Sequence, residues 1–100
     1  MSVLVKQVED KLCELVRDAA KKAMAAGELP EAELTDFNVE VPADRRNGDY
    51  STNAAMAWAR AFRRAPALIA SAITENIDLE GTAFSSCEAA GPGFIHFRLA

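Results

Sequence analysis

Phe94, His96 and Arg98 alternate with Ile95, Phe97 and Leu99 in the segment that follows Gly91-Pro92-Gly93. On a β-strand alternate side chains share a face, so Ile95, Phe97 and Leu99 form an apolar face that turns to a core. Phe94, His96 and Arg98 then stand in one row on the other face. An aromatic plane, an imidazole edge and a guanidinium are what an unpaired nucleotide needs for stacking, hydrogen bonding and phosphate neutralisation. Single exposed aromatics are ordinary on protein surfaces; here the polar neighbours at two-residue spacing are what a second apolar core would not choose.

Other chemistries are poorly provided for. His96 is the only histidine, and Cys13 and Cys87 lie far apart without metal-ligand spacing, so no metal site and no catalytic residue is expected. Both cysteines read as reduced, buried, small hydrophobes. Gly91-Pro92-Gly93 leads into a strand instead of a helix, which removes the helix N-terminus that a phosphate-cradling loop uses. No apolar run approaches the roughly 20 residues of a membrane span, and no secretory leader is evident, so a cytoplasmic location and no membrane partner are expected.

The net charge of -4 opposes a polyanionic partner globally, but the charge is unevenly spread. Acidic residues dominate up to Asp44, whereas Arg45, Arg46, Arg60, Arg63 and Arg64 face only Asp49 in the middle of the chain. Arginine's planar fork suits phosphate and stacked bases. Arg63 and Arg64 also have a structural use, since cations at a helix end complement its dipole.

The elements that must position these groups are legible in the periodicity. Val5, Val8, Leu12, Leu15, Val16, Ala19, Ala23 and Met24 predict an amphipathic helix from Ser2 to about Ala26, capped by Ser2 and stopped by Gly27. At about 1.5 Å per residue it would be roughly 35 Å long. One helical turn is expected from Pro30, a strand over Phe37–Val41 ended by Pro42, and a polar loop with its tightest turn at Asn47-Gly48. Ser51 or Thr52 should cap a second helix containing Trp58 and Phe62, and Pro66 should start a third that ends before Gly81. Tyr50 and Trp58 read as core or helix-anchoring residues. Phe84–Ala90 and Phe94–Leu99 predict an antiparallel hairpin, with a further strand conceivable near Asp49–Ser51. The expected fold is α+β: a small antiparallel sheet of three to four strands packed on one face by three helices, forming one domain over 1–100.

Val39-Glu40-Val41-Pro42, Gly48-Asp49-Tyr50-Ser51-Thr52-Asn53-Ala54-Ala55-Met56, Pro66 and Ala90-Gly91-Pro92-Gly93-Phe94-Ile95-His96-Phe97 occur in this order. Together they resemble the N-terminal additional domain of arginyl-tRNA synthetase, from about Phe37 to Leu99. The resemblance implies a module that contacts the D-loop of arginine tRNA, with Phe94 and His96 meeting an unpaired nucleotide and the backbone at Gly91 as a third contact. Arg98, Arg45, Arg46, Arg63 and Arg64 are the candidate phosphate ligands. His96 stands where the family leads one to expect an amide side chain, and Trp58 where a smaller aliphatic residue is usual. The family's complete enzymes are ATP-dependent ligases that form an arginyl-adenylate, so ATP and a catalytic domain belong to a parent protein. The resemblance implies no cofactor and no catalysis for this segment, and no DNA partner. The competing expectation is a protein-interaction module that docks through the first helix or the sheet face.

Overall fold

The alanine-rich periodicity at the start of the chain produces α1, Val3–Ala25, in a computed structural model that describes residues 3–43 and 48–100. Leu12, Leu15, Val16, Ala19, Ala20 and Ala23 form its buried stripe, and the small residues let α1 lie close against α3, Pro66–Asn76. Gly27, at φ +80°, ends α1 in a Schellman arrangement: its N–H donates to the Met24 carbonyl and that of Glu28 to Ala23. The expected caps and turns at Ser2 and Asn47 lie outside the described residues. The long axis of the molecule is 36 Å, in keeping with the length of this helix.

The helical turn expected at Pro30 does not form. Residues 30–38 run without regular structure because side chains of two helices take up their backbone carbonyls. Arg17 Nη1 donates to the Leu34 carbonyl (3.0 Å), and Trp58 Nε1 to that of Thr35 (2.8 Å). The Arg17 guanidinium also sits 5.1 Å from the Phe37 ring centroid, and Phe37 meets Trp58 edge to face at 5.2 Å. Trp58 is completely buried, as is Phe62 beside it. The large indole thus supplies apolar area to the core and uses its one polar atom to hold a loop.

The sheet has four strands in the order β1-β2-β4-β3, all antiparallel: β1 Val39–Glu40, β2 Tyr50–Thr52, β3 Phe84–Ala90 and β4 Phe94–Leu99. The first strand is shorter than the expected Phe37–Val41: at Asn38 two side-chain hydrogen bonds join a single long backbone bond from the Asn53 N–H (3.4 Å) in place of a regular ladder. The Asn53 Oδ1 accepts from the Asn38 N–H (2.8 Å) and the Thr52 hydroxyl donates to the Asn38 carbonyl (2.8 Å). The additional strand conceived near Asp49–Ser51 is real, at Tyr50–Thr52.

Two helices rest directly on one sheet face: α2, Ala54–Phe62, and α3, which also lies between α1 and the sheet. The N-cap position of α2 is Asn53, whose side chain is spent on Asn38; the Thr52 hydroxyl accepts from the Ala54 N–H (3.3 Å) and so performs part of the capping expected of it. Tyr50, Thr52, Ile95 and Phe97 are buried beneath these helices with Phe84, and Phe84 stands 5.3 Å from Phe97, ring to ring. Each such aromatic contributes roughly 1.5–3 kcal/mol by leaving water. The opposite sheet face carries exposed or half-buried side chains.

Candidate nucleic-acid interface

Gly48 and Asp49 fasten the end of β4. A Cβ on Gly48 would come within 2.8 Å of the Phe97 carbonyl oxygen, so only glycine fits there without a shift. The Asp49 N–H donates to that carbonyl (2.8 Å), and the Leu99 N–H donates to Asp49 Oδ2 (2.9 Å). The other end of β4 is set by Gly93, at φ +147°, which abuts Pro66 and Met56. The conspicuous Gly-Asp-Tyr-Ser-Thr-Asn and Gly-Pro-Gly segments therefore act chiefly as scaffolding, and what they hold in place is the Phe94–Leu99 strand.

On the open face of that strand Phe94 is 37% exposed, with His96 and Arg98 half-buried beside it. The Phe94 and His96 rings lie 6.5 Å apart, centroid to centroid, with planes 27° from parallel. The register extends the row sideways: His96 pairs with Ser51 on β2 and Glu88 on β3, and Ser51 pairs with Glu40 on β1. Four strands thus present Glu40, Ser51, His96 and Glu88 in line. Two surface hollows adjoin Phe94. The larger, about 510 Å³, is bordered by Glu40, Ser51, Ala90, Gly91 and His96, and the smaller, about 260 Å³, by Asn38, Glu40, Ser51, Asn53 and Met56.

The structure brings Phe94, His96 and Arg98 onto one face and Gly91 to its rim. Arg63 and Arg64 are exposed at the α2–α3 junction, two or three residues before the Pro66 that touches Gly93, and line neither hollow beside Phe94. Arg63 occupies the left-handed region (φ 55°, ψ 43°) at the end of α2. Arg45 and Arg46 lie outside the described residues. The face is more acidic than the arginine distribution suggests, because Glu40 and Glu88 belong to it. Glu40 was already on the polar side of a predicted strand, but its relation to His96 needed the β2 register, which the sequence did not disclose.

Neither cysteine is poised as a nucleophile. Both are half-buried rather than fully buried, and free. Burial pushes both thiols above the ordinary range, with Glu88 adding to the effect at Cys87 and nearby Arg17 opposing it at Cys13. Among the described residues no group of three metal-ligating side chains converges.

Comparison with known proteins agrees with this architecture. The sequence profile described as "Arginyl tRNA synthetase N terminal domain" matches residues 10–99. The chain is 39% identical over 99 residues to an arginine-tRNA ligase of Acetivibrio thermocellus, covering 99% of this chain and 18% of the relative. It is 46% identical over 98 residues to that of Geobacillus thermodenitrificans, covering 96% and 17%. The chain therefore spans less than a fifth of these curated relatives. Among solved structures, Thermus thermophilus arginyl-tRNA synthetase shares the fold over 83% of this chain and 13% of its own, with a TM-score of 0.58 at 22% identity. By the extent of the profile match and the identity to these ligases, the chain belongs to the arginyl-tRNA synthetase N-terminal domain family.

Proposed function

We propose that the chain is the tRNA-contacting module of an arginine-tRNA ligase, and that its open sheet face meets an unpaired D-loop nucleotide of arginine tRNA. The observation that carries this reading is the exposed Phe94 ring standing beside His96, with hollows against it. Phe94 offers the stacking plane and His96 the hydrogen-bonding edge, while the Gly91 backbone borders the pocket. Arg98 on the face, with the exposed Arg63 and Arg64 and with Arg45 and Arg46, supplies the phosphate ligands of this reading. Binding by this domain alone is weak, because a few contacts must offset ordering costs and the repulsion of an acidic chain. ATP-dependent arginylation belongs to the catalytic part of a protein of the relatives' length, which is the second partner of this module.

The docking alternative relied on the apolar stripe of α1. Among the described residues, Leu12, Leu15, Val16, Ala19, Ala20 and Ala23 of that stripe are buried against α3 and the rest of the core, which disfavours docking through α1 and leaves the sheet face as the surface that a protein partner would share with RNA. An NMR titration of the labelled chain with an arginine tRNA transcript tests the proposal. Shifts centred on Gly91 to Arg98 that vanish with an altered D-loop support it, and their absence at low salt refutes it.

A further inference from the structure

We propose that the exposed side of α2 is a second RNA-contact surface, a track in which Arg60, Arg63 and Arg64 hold the sugar–phosphate backbone on one side of the nucleotide seated against Phe94. The inference rests on the reading of Phe94 as a stacking platform. It extends the contact beyond the sheet and adds Arg60 and a direction for the strand.

Asn53, at the N-cap of α2, and Met56 border the smaller hollow beside Phe94. Arg60 stands about one turn beyond Met56 and about two beyond Asn53, roughly 6 Å along the axis from Met56. These three therefore share one side of the helix, while Ala55, Trp58 and Phe62 enter the core from the other. Arg60, Arg63 and Arg64 are all exposed, so the stripe runs from the hollow to the α2–α3 junction. The chain carries no acidic residue between Asp49 and Glu75. Among the described residues Arg60 and Arg63 form no ion pair, and Arg64 Nη1 donates only to the Arg63 carbonyl (3.1 Å).

Cations in the last turn of a helix complement its dipole. That use does not account for Arg63, which holds a left-handed position where glycine is the default and an arginine is strained. Three like charges gathered without a carboxylate repel one another, and a polyanion relieves that repulsion while each guanidinium fork grips a phosphate. The surroundings select the same route. A strand leaving the hollows over β1 passes Glu40, and one leaving over β3 passes Glu88, each of which repels phosphate. Along β4 the strand reaches Arg98, and over Met56 it reaches the arginines of α2. A nucleotide inside a loop has a neighbour on either side, and these two cationic routes take one each.

The test follows binding of a labelled arginine tRNA transcript to the chain by fluorescence anisotropy over a range of salt. Arg60→Gln and Arg64→Gln should each weaken binding roughly two- to fivefold at low salt, the scale of an exposed ion pair, and make the log–log salt dependence shallower by about one unit. Arg60→Lys should keep the slope, since the charge remains. Lys22→Gln is the control, because Lys22 is exposed in the last turn of α1 and its loss changes the net charge and a helix end in the same way. An equal change in Lys22→Gln would reduce the effect to overall charge and overturn the proposal, as would an unchanged slope in Arg60→Gln. A second measurement locates the track. In a labelled RNA hairpin the linkages on the 5′ side of an unpaired loop base, or on its 3′ side, are replaced by neutral methylphosphonates. Arg60→Gln should add no further loss on one of the two hairpins and its full loss on the other; full loss on both would overturn the proposal. Phe94→Ala separates the two readings. Wild-type-like binding by a folded Phe94→Ala chain removes the stacking platform itself, whereas affinity that depends on Phe94 with slopes indifferent to the α2 arginines removes only the track.

Discussion

Gly93 and Pro66 meet so closely that a Cβ on Gly93 would stand 2.5 Å from the proline's own Cβ. The β3–β4 turn is thereby seated on the start of α3, and the contact fixes where β4 begins and where Phe94 projects. A glycine and a proline separated in the chain by a helix and one strand act as one joint.

Gly93→Ala should destabilise the chain by about 2–3 kcal/mol, since the added methyl combines overpacking with a backbone conformation that side chains rarely adopt. Gly91→Ala is the control: its Cβ would meet only the Phe94 Cδ2 at 3.8 Å, and its φ of +57° should cost about 1 kcal/mol. Urea unfolding followed by the fluorescence of Trp58, the only tryptophan, measures both. Equal losses would show that the joint is looser than its geometry implies.

Phe94→Ala should leave stability nearly unchanged, because the ring is partly exposed, and should weaken tRNA binding by roughly 1–3 kcal/mol. Anisotropy with a labelled arginine tRNA transcript provides the affinity, and the urea midpoint provides the stability. A large drop in the midpoint with unchanged affinity would assign Phe94 to the fold.

Arg63→Gly should act in opposite directions on fold and binding. Relieving a left-handed arginine should stabilise the end of α2 by up to about 1 kcal/mol, after allowance for the entropy glycine loses on folding. If Arg63 touches phosphate, the log–log salt dependence of tRNA binding should become shallower by about one unit. An unchanged slope would remove Arg63 from the interface.

Asn53→Ala should cost about 0.5–1.5 kcal/mol, the worth of the hydrogen bond its side chain accepts from Asn38. The loss should be local. Hydrogen exchange at Asn38 and in β1 should quicken while β3 and β4 keep their protection, and a uniform loss of protection would contradict a local clamp.

Cys13 and Cys87 should react with a thiol-specific reagent more slowly than free cysteine at pH 7. Their raised thiol pKa values lower the thiolate fraction there, so rates should climb as the pH passes above the ordinary thiol range. A rate plateau near neutrality would contradict the shift.

Where apolar residues alternate or recur over many positions, as in β4 and α1, the elements were legible, because the periodicity decides which face enters the core. Tyr50-Ser51-Thr52 was harder to read, as three residues carry too little alternation and serine and threonine also suit a helix cap. The turn expected at Pro30 failed for a nonlocal reason: Trp58 and Arg17 compete for the carbonyls that a helix would have used internally. The same limit applied to the candidate site. The row Phe94, His96 and Arg98 follows from spacing on one strand, whereas Glu40 joins it only through pairing across β2.

The strand order β1-β2-β4-β3 puts β4 in the middle of the sheet, although it is the last of the four strands in the chain. During vectorial synthesis β1, β2 and β3 therefore emerge before the central strand that must join β2 to β3, and the helices have no finished surface to cover. Nascent domains of this kind have to wait, with Phe84 and Tyr50 uncovered, until β4 has left the ribosome. The segment proposed to meet tRNA is then also the one that closes the fold.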